Sequence, residues 1–278
     1  MQRTPSDNYL GDMEKNMQNK LVSIKPHISA ETKLIIDVGV GSGLLTYHIA
    51  MAFPEKDVIG IDKNPEFVKH AQETYRADNL EYVCDDVVHL MNDFNATGSE
   101  TTMIFSSVMH EIYSYGSGLT SVEHILKNCN AHRIIIRDFV APSSPDMHIV
   151  MHHMRDDATK SFHDFAKEFR HFPILCTNMK ALGPHYIYDT NLRSVYEYIY
   201  RKDFIKNWEY ELQEQYGFWS YDIAKHVLKS CGYDVAYHEA INNDWILQNR
   251  ITPYVTLYDT QGQNVCPPTY QMLLVAEK

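Results

Sequence analysis

The chain has 278 residues, 44% of them hydrophobic and 22% charged, and carries a formal net charge of −11. That is enough apolar material for one large core, or a core with a sizeable appendage, and no apolar run approaches the roughly 20 residues that span a bilayer. The acidic balance argues against broad nonspecific nucleic-acid binding, which rests on Lys and Arg neutralising phosphates, and leaves room for a local basic groove.

The residues from Met1 to Asp7 are polar and lack the apolar stretch of a signal peptide. Leu10, Met13, Met17, Leu21 and Ile24 then recur near helical spacing until Pro26, which predicts an opening helix. Lys33 to Val38 is a short apolar run with β-branched residues and reads as a buried parallel strand. Leu45, Ile49, Ala52 and Phe53 predict a helix after it, and Asp57 to Asp62 a second strand. Asn64 followed by Pro65 is a helix start, with a capping side chain and Pro at the first helical position. Further strands are predicted at Leu80 to Cys84, Thr102 to Val108 and Arg133 to Val140. Such alternation predicts a doubly wound parallel sheet with helices on both faces.

About 80 residues then separate the fifth strand from the next clear sheet element, where a crossover needs a dozen or so. Residues 146–216 are rich in His, Tyr and Phe and read as several helices, inserted over the mouth of the sheet. Ser220 caps a further helix that Gly232 ends, and Tyr233 to Ala240 is a sixth strand. Pro253 to Gly262 reads as a strand and turn, and Gln271 to Ala276 as the last strand. The expected organisation is an N-terminal helical segment at 1–30, a core domain at 31–145 and 217–278, and a helical insertion at 146–216. Cys84, Cys129, Cys176, Cys231 and Cys266 lie far apart with no C-x-x-C pair, a pattern that favours reduced thiols and a cytoplasmic setting.

The most informative stretch is Asp37-Val38-Gly39-Val40-Gly41-Ser42-Gly43, between a predicted strand and a predicted helix. Glycines at such a turn let the backbone reverse sharply and approach a ligand. The dinucleotide fingerprint there is G-x-G-x-x-G, but here the third glycine comes one residue early and Leu44 takes its place. This spacing, with its preceding acid, resembles the D-x-G-x-G-x-G motif of class I S-adenosylmethionine-dependent methyltransferases. Asp62 ends the second strand, where that family carries an acid for the two ribose hydroxyls; a carboxylate offers paired acceptors to a vicinal diol. Cys84-Asp85-Asp86-Val87-Val88-His89-Leu90 resembles the family's adenine-contacting segment, and register against Leu90 favours Asp86, then Asp85. The resemblance covers residues 30–142 and 218–278. It implies a seven-stranded, mostly parallel Rossmann-like sheet whose last strand is antiparallel and inserted between the fifth and sixth. It also implies S-adenosylmethionine as cofactor, held by Asp37, Gly39, Gly41, Gly43, Asp62, Asp86 and Val87.

In open α/β sheets ligands sit beyond the carboxyl ends of the strands. The fourth strand runs into Ser106-Ser107-Val108-Met109-His110-Glu111 and the fifth ends at Asp138, so His110, Glu111 and Asp138 are the candidate catalytic residues. His110 is the first candidate for a general base, with Glu111 orienting it or bonded elsewhere; neighbours on a helix do not face each other. The chain lacks the N/D-P-P-Y/F tetrapeptide of many amino-directed nucleic-acid methyltransferases at this point. In the insertion, His148 and His152 are four apart and on a helix share one face, a weak metal pattern with no recognised ligand set, so no metal is expected. Tyr196, Tyr198, Tyr200, Phe204 and Trp208 read as the insertion's own core, with one or two facing a ligand; Arg201 and Lys202 are either anion-binding or solvated. A lid of this size suits a small or medium-sized oxygen or nitrogen acceptor shielded from water. An RNA (tRNA) acceptor and a noncatalytic partner subunit are the alternatives, and no membrane association is expected.

Overall fold

The computed structural model describes residues 17–87, 89, 100–154 and 159–278. The first half runs α1 (Met17–Ile24), β1 (Leu34–Val38), α2 (Leu44–Ala52), β2 (Asp57–Asp62), α3 (Pro65–Thr74), β3 (Leu80–Cys84), β4 (Thr101–Ser106), α4 (Met109–Tyr115), α5 (Leu119–Asn128) and β5 (Arg133–Phe139). The second half runs β6 (His148–Met154), α6 (Phe162–Glu168), β7 (Thr177–Leu182), β8 (His185–Asn191), α7 (Leu192–Ile199), α8 (Trp208–Glu211), α9 (Tyr221–Ser230), β9 (Asp234–Ile241), β10 (Val255–Tyr258), β11 (Asn264–Val265) and β12 (Gln271–Glu277).

Seven strands form the main sheet in the order β3-β2-β1-β4-β5-β12-β9. Neighbours pair in parallel through β5, and β12 lies antiparallel to both β5 and β9. Both faces are covered, which explains why the strands read as continuous apolar runs. Ile36, Phe105, Ile134 and Ile136 face one layer, packed on Val122, Ile125 and Leu126 of α5 and Ala224, Val227 and Leu228 of α9. Their alternate neighbours Ile35, Ile104, Ile135 and Leu273 face the other, packed on Met17 and Ile24 of α1 and Leu45 and Ile49 of α2. The expected doubly wound sheet with its inserted antiparallel strand is the sheet observed. Leu10 and Met13 of the expected opening helix, and Leu90, lie outside the described residues.

The expected helical insertion needs correcting. Residues 148–154, 177–182 and 185–191 are strands of a second, five-stranded antiparallel sheet in the order β11-β10-β6-β8-β7. Its remaining two strands, β10 and β11, come from the segment between β9 and β12, inside the expected core domain. In β6 the buried residues alternate as Ile149, Met151 and His153, a period of two. His153 is 2% exposed and its ring meets the Tyr198 hydroxyl at 3.2 Å, so a side chain that reads as polar occupies an interior position. That substitution hides the strand period in the sequence. Helices α6 and α7 pack on this sheet around Phe162, Phe165, Tyr188, Tyr196 and Tyr198.

Candidate active site

The loop after β1 turns on three glycines with left-handed backbone: φ is +78° at Gly39, +52° at Gly41 and +86° at Gly43. Side chains are excluded on steric grounds too. A Cβ on Gly39 would sit 2.7 Å from Val108 Cγ2, and one on Gly43 2.5 Å from Ala71 Cβ. The loop is tied to the end of β2. The Gly39 N–H donates to the Ile61 carbonyl at 2.8 Å, and the Gly41 N–H to the Asp62 carboxylate at 3.1 Å. The other Asp62 oxygen accepts from the Asn64 N–H at 2.9 Å, and burial holds the Asp62 carboxyl above the usual range. Asp37 lies beneath the loop, accepts from Thr46 Oγ1 at 2.7 Å, and is pushed by burial up to about 7.

A cavity of about 200 Å³ lies at this end of the sheet. Its walls include Gly39, Asp62, Asp85, Asp86 and Val87 from the β1, β2 and β3 ends, and Glu111, Ile112 and Tyr115 from the β4 side. Both candidate adenine-side acids thus reach one space. Asp85 is tied into the backbone: its N–H donates to the Asp62 carbonyl at 3.1 Å, and its carboxylate accepts from the Asp86 N–H at 2.7 Å. Between β4 and α4, Ser107 holds φ at +58° while donating its N–H to the Arg137 carbonyl at 2.8 Å. A non-glycine residue in that region costs roughly 1–3 kcal/mol and persists where neighbours impose it, commonly at functional sites.

His110 and Glu111 point to different places, as neighbours on a helix do. Glu111 is on the cavity wall, whereas His110 is 4% exposed and turned inward. His110 Nδ1 lies 2.7 Å from Asp138 Oδ1, and its backbone N–H donates to Asp138 Oδ2 at 3.1 Å. Nε2 lies 3.6 Å from Glu214 Oε2, at the end of the insertion. Asp138 and Glu214 are 0% and 1% exposed. Burial alone depresses an imidazole, but here Asp138 and Glu214 outweigh it and raise His110 to about 10. An imidazolium has no lone pair for accepting a proton, so this pairing favours a positioning role for His110 over that of a general base. Asp138, enclosed by His110 and the Phe139 N–H at 2.7 Å, does not reach the cavity.

Residues 35–129 match the model of a methyltransferase domain. A malonyl-[acyl-carrier protein] O-methyltransferase of Acetivibrio thermocellus is 29% identical over 75 residues, which is 27% of this chain and 26% of that protein. Protein 235L of Invertebrate iridescent virus 6, whose name is that of a methyltransferase, is 44% identical over 46 residues, 16% of this chain and 17% of its own length. The chain thus spans about a quarter or less of the curated relatives it matches. Among solved structures, an S-adenosylmethionine-dependent methyltransferase of Archaeoglobus fulgidus aligns over 98% of this chain and 100% of its own, with a TM-score of 0.53 and 10% identity. That likeness is one of fold, and it spans the full sheet. Residues 35–129 thus carry a methyltransferase domain, in a chain with the fold of S-adenosylmethionine-dependent methyltransferases.

Glu214 had no signal in the sequence: it sits in the Glu- and Gln-rich stretch 209–215, 104 positions from His110. Two further contacts tie this stretch to α4 of the methyltransferase domain. The Tyr115 hydroxyl donates to Glu214 Oε1 at 3.1 Å, and the Gln215 N–H to Ser114 Oγ at 2.9 Å. Arg201 and Lys202, read as anion-binding or solvated, are both 0% exposed. Arg201 pairs with Glu197 and donates to the Glu211 and Glu214 carbonyls, so it braces the stretch that carries Glu214. Lys202 pairs with Asp203 at 2.5 Å. Tyr196, Tyr198, Tyr200 and Trp208 are buried in the insertion's core, as expected of most of that aromatic set. His148 and His152 lie on strand β6 rather than a helix, where four residues span roughly 13 Å, too far to share an ion.

Proposed function

We propose that this protein transfers the methyl group of S-adenosylmethionine to a small or medium-sized oxygen or nitrogen acceptor. The observation that carries this reading is the convergence of the Gly39 loop, Asp62 and the Asp85–Asp86 pair on one cavity. The residues fit an adenosyl group. A Cβ at Gly39 would meet Val108 Cγ2 at 2.7 Å, so this part of the cavity wall admits only glycine, and Asp62 offers two acceptor oxygens in the same wall. Asp86, or Asp85, would accept from the adenine amino group, and Val87 would supply apolar wall to that end of the cavity. When bound, the cofactor supplies an already activated methyl group on a sulfonium. The protein's task is then mainly to position the acceptor, an effect worth up to roughly 7–11 kcal/mol in favourable cases.

Glu111 is the candidate catalytic residue from the sequence that lines the cavity, and we assign it the proton-accepting role. His110, Asp138 and Glu214 act as positioning residues: they hold α4, and with it Glu111, Ile112 and Tyr115, against the insertion. The match to an O-methyltransferase over part of the chain supports oxygen first among acceptor atoms. The RNA reading loses Arg201 and Lys202 as candidate cations, because both are buried. Calorimetric titration with S-adenosylmethionine and S-adenosylhomocysteine tests the cofactor assignment, with micromolar binding lost in Asp62→Ala as the expected result. Absence of binding in the unsubstituted protein would refute it. An acceptor screen with labelled methyl donor then tests Glu111→Gln: methyl transfer should fall by roughly 10²–10⁴ with adenosylhomocysteine binding retained.

A further inference from the structure

The seven residues of α4 belong to the cavity and to the insertion contact at once. Glu111, Ile112 and Tyr115 share one helix face by their spacing and line the cavity. The first turn is anchored in the main sheet, where the His110 N–H donates to Asp138 of β5 at 3.1 Å. The last turn is anchored in the insertion: the Tyr115 hydroxyl donates to Glu214 Oε1 at 3.1 Å, and Ser114 Oγ accepts from the Gln215 N–H at 2.9 Å. Tyr115 is the residue on which the two roles meet. Its ring is a cavity wall and is 41% exposed, while its hydroxyl ends on a carboxylate that is 1% exposed.

From Glu214 the contacts run into the insertion's core. Arg201 donates to the Glu211 and Glu214 carbonyls and pairs with Glu197, whose carboxylate accepts from the Tyr216 and Gly217 N–H groups. On the other side, the Lys63 ammonium lies 5.7 Å from the Tyr115 ring centroid, within cation–π range. Lys63 follows Asp62 in the chain and lines the same cavity, so the Asp62 end of the cavity and the Tyr115 ring touch through it. Part of the ring's surface faces the cavity uncovered, so its other rotamers stay within reach unless the space beside it is filled. A ligand in that space removes those rotamers and leaves the one that holds Glu214.

We propose that Tyr115 couples the cavity to the insertion: filling the cavity fixes the Tyr115–Glu214 hydrogen bond, and that bond orders the 211–217 stretch. The proposal rests on the cofactor reading above and adds to it a positioning residue and an order of events. The cofactor binds first, and the acceptor meets an insertion already organised by it. Linkage makes the effect reciprocal, so an acceptor held by the insertion also tightens the cofactor. A fixed hydrogen bond would brace α4 to the same degree with and without ligand. Coupling needs a group that the ligand itself restrains, and the part-uncovered Tyr115 ring is that group.

The test is hydrogen exchange, read by mass spectrometry on peptides covering 211–217, with and without saturating S-adenosylhomocysteine. It needs no acceptor. In the unsubstituted protein the ligand should slow exchange there by roughly tenfold, the order of one hydrogen bond to a charged group. Tyr115→Phe keeps the ring in the cavity wall and loses the bond to Glu214, so adenosylhomocysteine should still bind while the slowing falls below about twofold. Ser114→Ala removes a bond from the same turn but outside the cavity wall. It should speed exchange in both states and leave the ligand-dependent ratio as in the unsubstituted protein. A brace without coupling gives a different pattern: Tyr115→Phe would speed exchange equally with and without ligand, and the ratio would not move. That result, or binding with no slowing at 211–217 in the unsubstituted protein, would overturn the proposal and leave the cofactor reading intact. Absence of binding in the unsubstituted protein, the result that refutes the cofactor reading, would remove the proposal with it.

Discussion

Replacing His110 by Gln probes the charge state on which the site's description turns. The imidazolium sits 2.7 Å from Asp138 and 3.6 Å from Glu214, with all three side chains at 5% exposure or less. Removing the cation leaves two carboxylates buried without it, and breaking a buried ion pair in this way costs roughly 3–5 kcal/mol. The same interaction has a pH signature of fixed sign. The folded-state value is raised, to about 10 from an ordinary 6.5. A group raised in this way contributes stability that is fully present below about 6.5 and is lost as pH climbs through about 10. A shift of that size corresponds to roughly 4–5 kcal/mol as an upper bound. Lys20 acts with the opposite sign: its folded value is depressed to about 8, so its contribution improves stability as pH rises from there toward 10.5. The difference between wild type and His110→Gln removes that background. Urea unfolding of both proteins at intervals from pH 6 to 10.5 should show a gap of several kcal/mol at pH 6.5 that narrows steadily toward pH 10. A gap independent of pH across that window would mean that His110 folds as a neutral ring, and would restore it as a candidate base.

Two other perturbations have definite outcomes. Gly43→Ala places a Cβ 2.5 Å from Ala71 Cβ at a φ of +86°, so it should cost roughly 1–3 kcal/mol in thermal or urea unfolding and weaken adenosylhomocysteine binding with it. Arg201→Met removes the buried partner of Glu197 and should cost roughly 3–5 kcal/mol. Hydrogen exchange should then show lost protection at 211–217 and in α4, because Glu214 bridges the two; exchange confined to the insertion would break the proposed link.

What the sequence determined by itself was local in origin. The strand periods, the Asn64-Pro65 helix start, the glycine spacing and the acids at the ends of the first three strands are properties of neighbouring residues. They carried the main sheet and, through the family resemblance that the motif supports, its inserted antiparallel strand and the cavity's Gly39, Asp62, Asp86 and Val87. Tertiary structure decided the rest, because it depends on partners far apart in the chain. The second sheet joins residues 148–154 to 255–258, a pairing that no local pattern encodes, and the buried His153 disguised its period. The charge on His110 is set by Asp138 and Glu214, 28 and 104 positions away. Arg201 is as polar in sequence as any surface arginine, and it is buried because Glu197 and two carbonyls of the 211–214 stretch satisfy it there. Burial and charge pairing are sums over neighbours in space, so residue type alone cannot state whether an ionisable group is a base, a brace or a ligand.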